Sequence, residues 1–301
     1  QRSQRSSPLH LSLFEIFGYS RLKFEQMTPQ EMAKRTIDEF VKFYTDHLGL
    51  DPALLRIYYF GGGTLREASK GKMKNDQYVE PDSFSRQIWI SHGIHDLVAE
   101  HSNETFLLHL GEPLREHHSG YRNDIFMKVG DTYFEIATLN FISHQTQIRG
   151  GEIVGISPLP FYLREMAMGQ ERILSAMQGS NDLYGLPFVA PLVQAVNAKI
   201  RDEEMAKVFA DDLRVAHYVI SDGWTYDRLQ GAEHERHRHE LNGYVKILSG
   251  HGSVIGRDRF LRLLQQNAGL QPWYPKLASS IEQVVATISE YRRRTQDIRK
   301  R

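Results

Sequence analysis

Arginine holds a phosphate better than most residues, because its planar, always-charged fork donates several hydrogen bonds at once. In the stretch MAMGQERILSAMQG, residues 166–179, Arg172 follows Gly169, Gln170 and Glu171. A glycine at that spacing lets a phosphate or an adenine come close to the backbone within reach of Arg172. The plainer reading makes the stretch an amphipathic helix, with Ile173, Leu174 and Met177 inside, Gly179 as its stop, and Arg172 a surface charge beside Glu171. Glu135 is the one carboxylate in the otherwise apolar and hydroxylated run Thr132–Ile142, where the plain reading is a carboxylate at a sheet edge. Two further patterns invite chemistry but lack its spacing. His234, His237 and His239 match no metal-ligand pattern and read as a charged loop before Gly243. Gly61–Gly63 lacks the Lys-Ser/Thr and the helix start of a phosphate loop, and reads as a strand exit. His117-His118 reads as a loop pair.

The elements that must position these groups follow from the apolar periods. Thr28-Pro29-Gln30-Glu31 is a helix start, with Thr as the cap and Glu three residues on. Ala33, Ile37, Phe40, Val41, Tyr44 and Leu48 continue it at helical spacing to Gly49. Leu9–Phe17 and Leu55–Phe60 read as strands, and Thr64–Ser85 as a polar, mobile loop. Gly130-Asp131 joins Ile125–Val129 to Thr132–Ile142 as a hairpin. From Arg201 the pattern turns helical, with one stripe from Met205 to Ile220 and another from Leu277 to Tyr291. Strands with interspersed helices, then helices alone, predict an α+β domain over 1–200 and a helical domain over 201–301.

The totals exclude little. The chain has 301 residues, 41% apolar and 25% charged, and its 37 basic side chains balance 37 acidic ones, so no global charge draws it to nucleic acid. It has no cysteine, which excludes disulfides and thiolate metal sites and fits a cytoplasmic enzyme. No apolar run is long enough for a membrane helix, and no membrane partner is expected.

Several stretches, in one order, resemble class II aminoacyl-tRNA synthetases, and the alanyl-tRNA synthetase family most closely. His10–Gly18 (HLSLFEIFG) resembles the second half of motif 2. Gly120–Phe126 (GYRNDIF) and Glu135–Phe141 (EIATLNF) resemble the family's Ser-Glu-Ile-Phe and Glu-Ile-Trp-Asn-Leu-Val-Phe strands. Ala167–Arg172 (AMGQER) resembles motif 3, Gly-Met-Gly-Leu-Glu-Arg. Ala210–Arg214 (ADDLR), Ile220–Gly223 (ISDG) and Asn242–Val245 (NGYV) are similar to later landmarks of the family.

The resemblance implies a class II antiparallel sheet flanked by helices, followed by a helical domain like the family's tRNA-recognition domain. It implies ATP and Mg²⁺ as cofactors and an aminoacyl-adenylate as product. On that reading Arg172 holds ATP, Glu135 holds Mg²⁺ or nucleotide, Phe14 faces the adenine, and Glu15 and Gly169 adjoin the nucleotide. The motif 2 arginine that grips the α-phosphate falls on Arg2, with Arg5 as runner-up. Motif 1 is not among the residues given, which leaves the oligomeric state open.

The departures lie at the amino-acid end. Glu165 stands for the family's aspartate, Ala167 for the first motif 3 glycine, Thr138 for the asparagine of Glu-Ile-Trp-Asn, and Leu107 or Leu108 for a tryptophan. After Gly-Tyr-Val the family's paired arginines give way to Lys246–Gly250 (KILSG), which thins the charge available to a tRNA backbone. The expectation is a stand-alone activation core, without editing or C-terminal domains, that acts on a small amino acid, alanine first. The acceptor is tRNA or, given the thinned basic face, a carrier protein or small molecule. Ordinary tRNA-Ala charging by a trimmed core and a non-catalytic, synthetase-like binding or regulatory protein are the alternatives.

Overall fold

The computed structural model describes residues 7, 9–23, 28–71, 73, 75–108, 117–149 and 152–299, so Arg2 and Arg5 lie outside the described residues. The chain forms two compact units, Glu15–Asn181 and Gln1–Phe14 with Asp182–Arg301. The division falls at Asn181/Asp182 rather than near 200, and the segment up to Phe14 belongs to the helical unit.

The first unit is built on a seven-stranded sheet. Its strands are β1 (Ile16–Lys23), β2 (Leu55–Phe60), β5 (Leu97–Glu100), β6 (Phe106–Leu107), β7 (His118–Val129), β8 (Thr132–Arg149) and β9 (Glu152–Gly169), in the order β1-β9-β8-β7-β2-β5 with β6 on β7. Two short strands, β3 (Gly63–Thr64) and β4 (Tyr78–Val79), form a separate pair. All pairings are antiparallel except β2 with β5. The predicted hairpin is present: Val129 pairs with Thr132 across Gly130-Asp131, with Gly130 at φ +60° in the left-handed region that such a loop demands.

Helix α1 (Pro29–Lys42) starts where the sequence predicts, with Thr28 and Glu31 exchanging a full capping box. It buries Met32, Ile37 and Phe40, each at most 1% exposed, and α2 (Ser83–Ser91) buries Trp89 beside them. Against these helices lie Ile125, Leu139, Phe141, Met166 and Met168 of the sheet. Each fully buried side chain of this kind contributes roughly 1.5–3 kcal/mol, so this helix-covered face holds the sheet rigid.

Several expectations are corrected. Residues 9–15 are not strand; β1 begins only at Ile16. Within the helical unit the Ser12 N–H donates to Asp211 Oδ2 at 2.8 Å and Arg214 donates to the Leu13 carbonyl, so this segment is held by side chains instead of by a ladder. The Thr64–Ser85 stretch is not a featureless loop. It holds a capped turn at Leu65–Ala68, strand β4 and the start of α2, with Leu65, Met73 and Val79 buried. Strand β9 was hidden by Pro158 and Pro160. The sheet tolerates Pro158 because the register shifts there, between the Ile142 and His144 pairings. Residues 166–169 therefore finish a strand, and the helix α3 spans only Gln170–Met177, with Met177 exposed. His118 likewise opens β7 instead of sitting in a loop.

The helical unit packs α4 (Ala190–Ile200), α5 (Glu203–Ser221), α6 (Glu235–Gly250), α7 (Arg257–Leu270) and α8 (Lys276–Arg299). Both predicted stripes are its core, in α5 and α8. His237 and His239, expected in a loop, lie in α6, and no group of three or more His, Cys, Asp or Glu among the described residues could hold a metal ion. No helix among them is long and apolar enough to cross a membrane.

His217 of α5 is fully buried between the Leu277 carbonyl at 2.8 Å and the Asn267 amide at 3.0 Å. Burial pushes its imidazole down to about 4. The unfolded chain takes up a proton near pH 6.5 and the folded one only near pH 4, so its contribution is complete above 6.5 and lost as pH falls to 4. Denaturant titrations should show the helical unit losing about 3 kcal/mol across that window, and His217→Gln should flatten the slope. An unchanged slope in the variant would show that other groups carry it.

Candidate active site

The sheet's second face carries the polar and small residues. Strand alternation turns Tyr121, Asn123, Ile125, Leu139, Phe141, Met166 and Met168 toward the helices and their partners one residue away to the other side. There, one row runs Asp124, Thr138, Ala167, Gly18 across four strands, and the next runs Arg122, Asn140, Glu165, Ser20. Ala167 and Gly18 leave a floor without bulky side chains beside a charged cluster.

A β-bulge builds that cluster. Ile125 pairs with Ala137 while Phe126 pairs with Glu135, so Ile136 is an extra residue on β8. Residues 135 and 138 would point to opposite faces of a regular strand. The inserted residue puts them on the same one, and the Thr138 hydroxyl sits 3.0 Å from Glu135 Oε1 and 3.1 Å from Asp124 Oδ1. Arg122 completes the group, donating to Asp124 and lying 3.4 Å from Glu135. Burial pushes the Asp124 carboxyl up to about 6; the Arg122 guanidinium opposes the rise and the Glu135 charge adds to it.

Arg172 enters from the first turn of α3. Its Nη1 donates to the Glu135 carbonyl at 2.8 Å and lies 3.4 Å from Oε2. It is therefore directed onto the cluster and not onto Glu171. Glu171 is buried and accepts the Glu15 N–H at 2.9 Å, while the Gln170 N–H donates to the Glu15 carbonyl. These two bonds fasten the start of β1 to the start of α3, next to Arg172. At Gly169, the cap of α3, the nearest atoms to an added Cβ would be those of the Arg172 side chain, at an ordinary 3.8 Å. The fold itself does not demand glycine there.

The structure thus gathers Glu135, Thr138, Gly169 and Arg172, and brings in Glu15 through its backbone. Glu165 lies on the same face, one row along from Thr138, accepting from Ser20 at 2.9 Å and from Asn140 at 3.2 Å. Leu107 pairs with Gly120, two residues from Arg122, on the same face of the sheet, whereas Leu108 is buried in a separate apolar cluster. Phe14, 54% exposed, closes the N-terminal segment of the helical unit. Sequence reasoning missed Arg122 and the role of Asp124. Both stood inside GYRNDIF at strand spacing, i and i+2 on one face, which was the available signal.

An open antiparallel face bearing two arginines, three carboxylates and a small-residue floor has the chemistry of a site for a charged, nucleotide-type ligand. Over about half its length the chain is related in sequence to alanine–tRNA ligases. It is 30% identical over 166 residues to that of Nitrosococcus oceani, covering 52% of this chain and 18% of the relative, and 28% identical over 162 residues to that of Bordetella avium, covering 52% and 17%. The chain thus spans about a fifth of the length of these relatives. No family model matches. Apo histidyl-tRNA synthetase of S. aureus aligns with 55% of this chain and 40% of its own at 11% identity and a TM-score of 0.32.

Proposed function

We propose that this chain activates a small amino acid, alanine first, by reaction with ATP on the open face of the sheet. The observation that carries the reading is Arg172 directed from α3 onto Glu135, next to the Arg122–Asp124–Thr138 group, in a relative of alanine–tRNA ligases. In the reaction an oxygen of the amino-acid carboxylate attacks the α-phosphorus of ATP. The bond to the bridging oxygen breaks, and pyrophosphate leaves with the electron pair. No side chain need become covalently attached, so positioning and charge supply the rate. Arg172 and Arg122 neutralise phosphate charge. Gly169 and the Ala167–Gly18 floor admit the nucleotide to the backbone.

Mg²⁺ fits the donor set. Asp124 and Glu135 are two oxygen-bearing groups bridged by one hydroxyl, and Mg²⁺ is commonly held by one or two carboxylates together with substrate phosphates. It would draw negative charge from the phosphates. Glu165 would take the substrate ammonium, with Ser20 and Asn140 steadying its two oxygens. Thr138 and Leu107 line the way to it.

For the acceptor, a non-tRNA nucleophile such as a carrier protein or a small-molecule amine or hydroxyl is preferred. The observation behind this is that Lys246 is the only Lys or Arg in the stretch Leu241–Gly250 of α6. A screen of ATP–pyrophosphate exchange across the amino acids, with the full chain, tests the proposal. Exchange dependent on one small amino acid is the expected result, and no exchange with any of them would sink it.

A further inference from the structure

The helix-covered face of the sheet holds a cavity of about 270 Å³ that amino-acid activation does not use. It lies between the first turn of α1, the start of α2 and strands β7 to β9. Four aromatic rings, Phe84, Tyr121, Phe141 and Tyr162, contribute to its wall, and no lysine or arginine does. Its one acidic group is Asp82, 2% exposed. Asp82 Oδ1 accepts the Ser85 N–H at 3.1 Å and Oδ2 accepts from Asn123 at 3.0 Å, and among the described residues no cation pairs with it. His144 also lines the cavity, and burial holds its imidazole below its ordinary range.

A buried carboxyl without a counter-charge is costly, and burial accordingly pushes the Asp82 carboxyl up. Aromatic faces attract cations and repel anions, and a carboxylate does the same. Asp82 caps α2 and both its hydrogen bonds come from neutral groups, so a neutral apolar guest would leave it without a counter-charge, and an anion would meet repulsion from both. We propose that this cavity binds a small organic cation, an alkyl- or quaternary ammonium, seated against Asp82 and caged by Phe84, Tyr121, Phe141 and Tyr162.

The site is separate from the one on the open face. Tyr121 and Phe141 are register partners, one residue from Arg122 and Asn140, which point the other way. Failure of either proposal therefore leaves the other standing.

Calorimetric titration of the full chain with tetramethylammonium and with choline, against the neutral choline isostere 3,3-dimethylbutan-1-ol, tests it. Saturable binding of a cation at millimolar concentration or below is expected, with the neutral isostere weaker by about tenfold or more. Asp82→Asn should weaken cation binding by about tenfold or more. Phe84→Ala, at a ring already 39% exposed, should weaken it by about threefold to tenfold with little effect on folding. If Asp82→Asn fails to fold, the isostere and the Phe84 variant still decide. No saturable binding of either cation, equal binding of the isostere, or indifference to Phe84→Ala overturns the proposal.

Discussion

Arg172→Ala should lower amino-acid-dependent ATP–pyrophosphate exchange by about 10²–10³-fold, the loss typical of removing one fixed donor to a charge developing in the transition state. The same change should hardly touch stability. Arg172 is about one-third exposed, with a side-chain relative accessibility of 34% against 33% for Glu135, and such pairs contribute about 0–1 kcal/mol. The disproportion is what separates a ligand-binding arginine from a surface ion pair. Arg172→Lys should recover little, because an ammonium cannot present the planar fork. Steady-state exchange and a denaturant curve on each variant provide the check. A threefold or smaller loss of exchange would return Arg172 to the role of a surface charge.

The second large effect concerns the scaffold. Arg164 lies on β9 next to Glu165 but on the helix-covered face, 2% exposed. It donates to both oxygens of Glu39 on α1, at 3.0 and 3.2 Å, and to Tyr19 and Thr36. Arg164 is buried, whereas Glu39 is one-third exposed and keeps Arg35 at 3.5 Å, so the loss is chiefly that of charge-assisted hydrogen bonds. Arg164→Met should destabilise the sheet unit by about 1.5–3 kcal/mol, measured by urea titration. It should also change the pH dependence. Burial pushes the Glu39 carboxyl up, but the hydrogen bonds from Arg164 and Tyr19 outweigh it and hold the group below its ordinary range. Stability from that depressed carboxyl is present above the ordinary glutamate range and lost as pH falls through the lower folded value. Without Arg164 the burial effect is opposed only by Tyr19 and the remaining nearby charge, so the acid-side loss should become shallower. A variant as stable as the parent, with the same acid slope, would show that this pair is not what fixes β9 to α1.

Much of this was legible in the sequence, for physical reasons that differ by element. The Thr28–Glu31 cap and the Ala33–Tyr44 stripe are local signals, complete within a few residues, and the structure reproduces them. Gly130-Asp131 is equally local. Strand β9 was not legible, because its two prolines break the local pattern while a distant register shift accommodates one of them. The meeting of Glu135 with Thr138 was out of reach for the same reason. Spacing by three puts two strand residues on opposite faces, and only pairing with β7 reveals the bulge that unites them. Glu171 read as a partner for Arg172; its burial and its bond to the Glu15 backbone depend on how β1 returns to α3. Glu165 stands out in the sequence only through the resemblance; the sheet register sets it one row from Thr138, held by Ser20 and Asn140.

The central claim is that the open face binds an aminoacyl-adenylate through Arg172. Calorimetric titration of the full chain and of Arg172→Ala with a non-hydrolysable alanyl-adenylate analogue tests it most directly. The account predicts tight, one-to-one binding by the parent chain and a loss of about 10²-fold or more in the variant. Absence of binding to the parent, or equal binding by both proteins, would contradict it.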